Sequence, residues 1–257
     1  MRLILTTLFA TFALSLAASA STINVPGDYP TIQSAINAST DGDVIQIAVG
    51  SYNEYELNPG GKAITIEGTL NSNGSVATTI DAQQAGRVFT ISLGEGPDTL
   101  IKDLVITGGS SFTGGGIYCD DSSPTITGCT ISGNTAEWIA GGIRCVGGSP
   151  TITGCTISGN SAEWGGGIKF EYSDAIITGC TISGNSATEN YGGINCVYSN
   201  LIMTDCTISG NTAEYGGGMM IWRSSPTITD CMIADNAAED QGGGLWVDDN
   251  SNPTMTN

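Results

Sequence analysis

The sequence contains no histidine, and only 7 of its 257 residues are lysine or arginine. Without histidine, and without any CxxC spacing among its 8 cysteines, it lacks the usual patterns of a bound transition metal. No metal site or cofactor is therefore expected. Acids outnumber bases by 25 to 7, and a surface of that sign repels nucleic acid and anionic lipid. Polyanionic sugars are repelled too unless a cation bridges them. Beyond the first twenty residues no apolar run approaches membrane-spanning length. Glycine is abundant, at 37 residues, but lacks the every-third spacing of collagen.

What is present begins with a leader. Arg2 precedes an apolar run from Leu3 to Leu16, and Ala18-Ser19-Ala20 fits a small-residue cleavage site. Residues 1–20 are expected to be a signal peptide, which places the mature chain outside the cell or on its surface, with no membrane insertion. Removing Arg2 leaves 6 bases against 25 acids, a formal charge of −19. Residues 21–106 read as a cap and the first coils, and residues 107–257 as a regular array. Pro30 and Thr31 are helix-start residues, and Ile32, Ala35 and Ile36 then share one helical face. Asp41-Gly42-Asp43 closes that short helix, and the β-branched run from Val44 to Ala48 is a strand. A helix at this point caps the open end of a stacked sheet.

The array repeats one sentence. SPTITGCTISGN at Ser123–Asn134 returns at Ser149–Asn160, then as DAIITGCTISGN at Asp174, NLIMTDCTISGN at Asn200 and SPTITDCMIADN at Ser225. Ile106, Ile131, Ile157, Ile182, Ile208 and Ile233 are spaced by 25, 26, 25, 26 and 25 residues, the period of a solenoid. The alternation arises between the asparagine and the glycines, so that segment is expected to be a loop. Ile126, Ile152, Ile177, Met203 and Ile228 are always apolar, and Cys119, Cys145, Phe170, Cys196, Ile221 and Val247 form a column only an interior accepts. Thr and Ser alternate with them, the period of strands with one wet face. Ala136, Ala162, Ala187, Ala213 and Ala238 never vary and suggest a tight inward corner. The pair Gly115-Gly116 is glycine in all six copies, through Gly243-Gly244, and is expected to need positive φ or close backbone approach. Asn134, Asn160, Asn185, Asn211 and Asn236 stack into a ladder of amides along the axis. Cys129, Cys155, Cys180, Cys206 and Cys231 form a second column. Buried thiols are the favoured state, because side chains in register point the same way, although the strand spacing also falls within disulfide range.

Three surface features carry functional readings. Loop acids Glu137, Glu163, Glu189, Glu214 and Glu239 have aromatic neighbours Trp138, Trp164, Tyr191 and Tyr215. Stacked, they would give an aromatic stripe beside a carboxylate stripe, an edge for polysaccharide or cell-surface glycan; the competing reading is that they shield a corner. Outward Arg144 and Lys169, on adjacent turns, are weak catalytic candidates for a polysaccharide lyase. Glycosidases need facing carboxylates, yet the column Asp120, Val146, Glu171, Val197, Trp222, Asp248 never places acids on adjacent turns. An unbroken outward column of Thr127, Thr153, Thr178, Thr204 and Thr229 leaves ice binding as a remote alternative. Near-identical repeats argue against a unique catalytic turn, so binding leads and catalysis follows.

Val25-Pro26, Tyr29–Ile32, Asp41–Asp43, Gly50–Tyr52, Lys62–Gly68, Thr78–Ala82 and Ile101–Gly109 together resemble the opening of pectin lyase-like right-handed β-helix proteins, including the pectin methylesterase-like group. The resemblance implies an all-β chain, a single-stranded right-handed parallel β-helix with a short N-terminal capping helix. The aspartate, arginine and glutamine set of pectin methylesterases is not found at matching places. The paired GGGI-like and ISGN motifs are similar to the repeats of chlamydial polymorphic outer-membrane proteins, which implies a surface role. SNPTMTN at Ser251–Asn257 begins another copy and stops mid-repeat, so further C-terminal domains of a longer protein are expected.

Overall fold

The structure, a computed structural model, describes residues 19–248 and 250–257. The expected signal peptide thus lies, up to residue 18, outside the described residues. The chain winds as a parallel β-solenoid of about 9 turns. Its strands form four parallel sheets of 10, 8, 6 and 7 strands, one strand of each per regular lap. One lap illustrates the circuit: Thr151–Thr153 in the first sheet, Thr156–Ser158 in the second, Ser161–Trp164 in the third and Ile168–Glu171 in the fourth.

Register follows the repeat. Ile152 pairs with Ile126 and Ile177, and Ile157 with Ile131 and Ile182, so identical side chains stack inside the coil. These isoleucines are fully buried, as are Cys119, Cys145, Phe170 and Cys196 in the fourth sheet. Each fully buried isoleucine contributes roughly 1.5–3 kcal/mol, and laps share that core with their neighbours. At the N-terminal end the helix Ile32–Ala38 covers the stack. Thr31 and Ser34 form a reciprocal capping box, and the Glu54 carboxylate accepts from the N–H groups of Ile32 at 2.8 Å and Gln33 at 3.1 Å. Its inner face is Ile32, Ala35 and Ile36. Among the described residues no helix is long and apolar enough to cross a membrane.

The asparagine column is fully hydrogen-bonded. Asn160 Oδ1 accepts from Asn134 N–H and Nδ2, both at 3.0 Å, while Asn160 Nδ2 donates to Ile131 O at 2.9 Å and Asn185 Oδ1 at 3.0 Å. The pattern repeats through Asn185, Asn211 and Asn236. The cysteine column lies one corner away, with Cys155 N–H on Cys180 Sγ and Cys206 N–H on Cys231 Sγ, each at 3.4 Å. All eight cysteines are free thiols. Hydrogen bonding from Cys155, with burial, pushes the Cys180 thiol up to about 12, and burial pushes Cys196 up to about 11.

One sequence expectation needs correction, and two are refined. The segment read as a loop is the third sheet, and its strands absorb the extra residue as a bulge: Thr135 pairs with Ser161, but the next pair is Ile139 with Trp164. The alanine column is buried as a tight corner demands, at Ala136, Ala162, Ala187 and Ala213, though outside the main core cluster; Ala187, Ala213 and Ala238 also line an outer trough of about 510 Å3 beside Glu214 and Glu239. Positive φ lies in the variable glycine column, not in the invariant pair. A Cβ on Gly115 or Gly141 would overlap the carbonyl oxygen of Thr135 or Ser161, so the invariant pair serves close approach between third and fourth sheets.

Candidate functional site

The outward column of the fourth sheet is Tyr118, Arg144, Lys169, Asn195, Met220 and Trp246, each paired in register with the next. An unconstrained surface would leave these side chains in water. Instead Lys169, Asn195 and Met220 are buried, at 8%, 1% and 2% exposure. Two aromatic walls cause this.

The first wall rises from the bulged ends of the third sheet. Phe112 and Trp138 pack at 5.5 Å between ring centroids, and Trp164 meets Tyr191 edge-on at 6.3 Å. The second wall rises from the turn after the fourth sheet. Tyr172 and Tyr198 stack at 4.8 Å with planes 5° apart, and Trp222 continues the stack 5.9 Å from Tyr198. The Arg223 guanidinium lies over Tyr198 and Trp222 and donates to the Tyr198 hydroxyl at 2.8 Å. Between the walls a cleft of about 100 Å3 has Lys169, Glu171, Asn195 and Met220 on its floor. Past Tyr191 it continues into a dip of about 250 Å3 reached by Tyr215, Gln241 and Trp246.

Backbone strain marks the same place. Tyr191 has φ +70° in a column otherwise held by Gly114, Ala140, Gly165, Gly216 and Gly242. Tyr172 and Tyr198 have φ +53° and +48° in the column where earlier laps carry Asp121 and Gly147. A side chain in the left-handed region costs roughly 1–2 kcal/mol. Left-handed residues other than glycine occur elsewhere too, as at Gln83, Asp103 and Asp230, but among the described residues the aromatic ones are these three tyrosines, on two adjacent laps. Tyr191 and Tyr198 line the cleft, and Tyr172 stacks on Tyr198.

Charge gathers there as well. Four of the 7 basic residues, Arg87, Arg144, Lys169 and Arg223, lie along this face of a chain with net charge −18. Arg144 Nη2 reaches Glu171 Oε2 at 3.3 Å and Lys169 Nζ reaches the same oxygen at 3.7 Å. Burial holds Lys169 below the ordinary lysine value, aided by Arg144 and opposed by Glu171. Arg87 stacks 4.7 Å over Tyr118 and donates to the carbonyls of Gly114 and Thr113. Two buried polar atoms of this column have no partner: Arg144 Nε beside the cleft and Asn195 Oδ1 on its floor.

The sequence-derived site residues divide. Trp164, Tyr191 and Lys169 meet at the cleft, Arg144 borders it, and Tyr215 stands in the adjoining dip. Glu137 and Glu163 are exposed on the third sheet, with Glu163 accepting from Trp164 Nε1 at 3.1 Å. Glu214 faces the alanine trough instead. The single aromatic stripe does not form, because Trp164 pairs with Asn190, not Tyr191, and Asn190 with Tyr215. Trp138 is likewise one position off, since Ile139 opposes Trp164. Sequence reasoning placed Asn195 in an outward column that could be a ligand face, but did not single out Tyr172, Tyr198 or Trp222. Among the described residues no cluster of three or more His, Cys, Asp or Glu could hold a metal ion.

A β-solenoid with an aromatic cleft on one sheet is thus the class of protein in hand. The chain belongs to the family described as right handed beta helix region, which matches residues 60–186 and 141–257. No curated protein matches it in sequence. Among solved structures it is similar to a pectin methylesterase from Aspergillus niger in deglycosylated form, at 14% identity over 93% of this chain and 84% of that one, with a TM-score of 0.52. A rice weevil pectin methyl esterase aligns at 15% identity over 95% and 91%, with a TM-score of 0.48. A pectate lyase aligns at 11% identity over 91% and 78%, with a TM-score of 0.46. At these identities the fold alone is shared.

Proposed function

We propose that this is a secreted or cell-surface protein that binds polysaccharide in the cleft between Trp164–Tyr191 and Tyr198–Trp222. One observation carries the reading: opposed aromatic walls over a polar floor, with Tyr191 and Tyr198 held in the left-handed region to build them. Aromatic faces take the C–H surface of a sugar ring, and floor groups take its hydroxyls. The cleft runs across successive laps, so an extended chain along the axis would meet a ring or a polar group at each one. The leader-like residues 1–20 and the likeness of the GGGI and ISGN repeats to chlamydial surface proteins support the location. A glycan array with the purified chain tests it. Trp164→Ala and Tyr198→Ala should each weaken binding about tenfold or more, with far-UV circular dichroism unchanged. Binding that survives both substitutions refutes the site.

Lys169 favours a second reading, polysaccharide lyase. Its ammonium is buried and its proton held less firmly than in water. As the free amine it would take the proton alpha to a uronate carboxylate; the C–H pair then forms the C=C bond as the glycosidic oxygen leaves. Unsaturated product from the wild type, lost in Lys169→Ala, would support that reaction; binding without product supports the first reading.

A further inference from the structure

We infer that the cleft selects neutral, hydroxyl-rich sugar residues over uronates, with adjacent ring hydroxyls seated on Lys169 and Asn195. This rests on the polysaccharide-binding reading above and specifies its ligand.

Asn195 Oδ1 is an acceptor lacking a donor on the floor of the cleft, and Asn195 is itself only 1% exposed. Lys169, a donor, stands on the neighbouring strand. Strands in a sheet lie about 4.8 Å apart, so the two side chains rise side by side. A carboxylate is acceptor-only, so it takes from Lys169 but sets negative oxygen against Asn195 Oδ1. An ammonium donates to Asn195 and is repelled by Lys169. A hydroxyl both donates and accepts, and a pair on adjacent ring carbons gives to Asn195 Oδ1 and accepts from Lys169 Nζ.

The ion pairs point the same way. Glu171 already shares its Oε2 between Arg144 at 3.3 Å and Lys169 at 3.7 Å. A uronate would have to compete with that carboxylate, in the field of a chain carrying −18. At 3.7 Å the Lys169–Glu171 contact is longer than a hydrogen bond, so the ammonium retains donors for a hydroxyl oxygen. Met220, next along the floor, adds an apolar contact for ring carbons.

Affinity electrophoresis of the full chain tests this, in gels containing galactan, mannan, xylan or β-glucan, against polygalacturonate. At least one neutral polymer should retard the wild type, and polygalacturonate should not. Asn195→Leu and Lys169→Met should each weaken that retardation at least tenfold, with thermal melting confirming the fold. Two substitutions guard against one of them failing to fold. Stronger retardation by polygalacturonate than by every neutral polymer overturns the inference and leaves the proposed function standing. Retardation by a neutral polymer that both variants retain also overturns it. No retardation by any polymer overturns the proposed function, and this inference with it.

Discussion

Replacing Asn195 by leucine should stabilise the free protein while removing its ligand. Asn195 is 1% exposed and its Oδ1 has no donor. An unsatisfied buried polar atom costs about 1–3 kcal/mol. Leucine has the same branched outline, suits a strand better, and its extra volume would extend toward the cleft beside Met220, its partner on the next lap. Allowing for imperfect repacking, a net gain of about 1 kcal/mol is expected. For a chain of this size each kcal/mol moves Tm by roughly 2–4 °C. A saturating ligand at 100 times its Kd adds about 2.7 kcal/mol to whatever binds it. The two melting curves should therefore cross: the variant melts higher alone, the wild type higher with its polysaccharide. Differential scanning calorimetry with and without ligand reads both. A variant that melts several degrees lower in the absence of ligand would refute the reasoning, because Asn195 would then be a structural residue with a partner of its own.

Other perturbations test the same physics elsewhere. Tyr191→Gly removes a side chain from φ +70° and should raise the urea midpoint, by about 1 kcal/mol, while weakening polysaccharide binding. Asn160→Ala removes four hydrogen bonds from the buried ladder and should cost roughly 2–5 kcal/mol by urea denaturation. The native thiols should resist iodoacetamide at pH 8, with Cys231, the least buried, labelled first; mass spectrometry should find all 8 modified after unfolding. The N–H groups of Thr40 and Ser21 hold the Asp43 carboxyl down at about 2. A lowered carboxylate stabilises the fold above its ordinary value and loses that contribution as pH falls through about 2. Asp43→Asn should therefore flatten the acid limb of the stability curve between those values.

The repeat made the solenoid legible because register turns sequence columns into spatial files. Ile152 sits on Ile126 for the same reason that both occupy the same place in SPTITGCTISGN. The helix at Ile32–Ala38 was legible from Thr31 and the spacing of its apolar face. What failed was assignment around the corner between the asparagines and the glycines. There the count alternates between laps, and a bulge shifts the register by one residue. Counting from Ala162 and Ala187 aligns Glu163 with Thr188, so the acidic column breaks at Glu189. Counting from the far side aligns Trp164 with Asn190, so the aromatic column breaks too. Neither shift is visible without knowing where the bulge sits. The invariant glycines left two grounds open, and close approach of backbones, a tertiary constraint, is the one that holds, whereas positive φ tolerated alanine and tyrosine.

A repeat protein carries its own control, and this bears on where its function lies. Each lap solves the same folding problem, so a residue that merely folds the lap should recur in the others. Left-handed residues other than glycine recur along the coil, as at Asp103, Asp121, Asp205 and Arg223, but among the described residues the aromatic ones are Tyr172, Tyr191 and Tyr198; Gly147, Gly165 and Gly216 hold the same backbone without strain on neighbouring laps. Asn195 stands between Lys169 and Met220, and only this member of the column leaves a fully buried acceptor unpaired. Folding alone would have favoured the glycines and an apolar residue at 195. Asn195 and the left-handed Tyr191 and Tyr198 fall on one lap, line one cleft, and each lowers the stability of the empty protein. Their convergence is accounted for when an occupant of the cleft returns, on binding, the free energy that each departure costs.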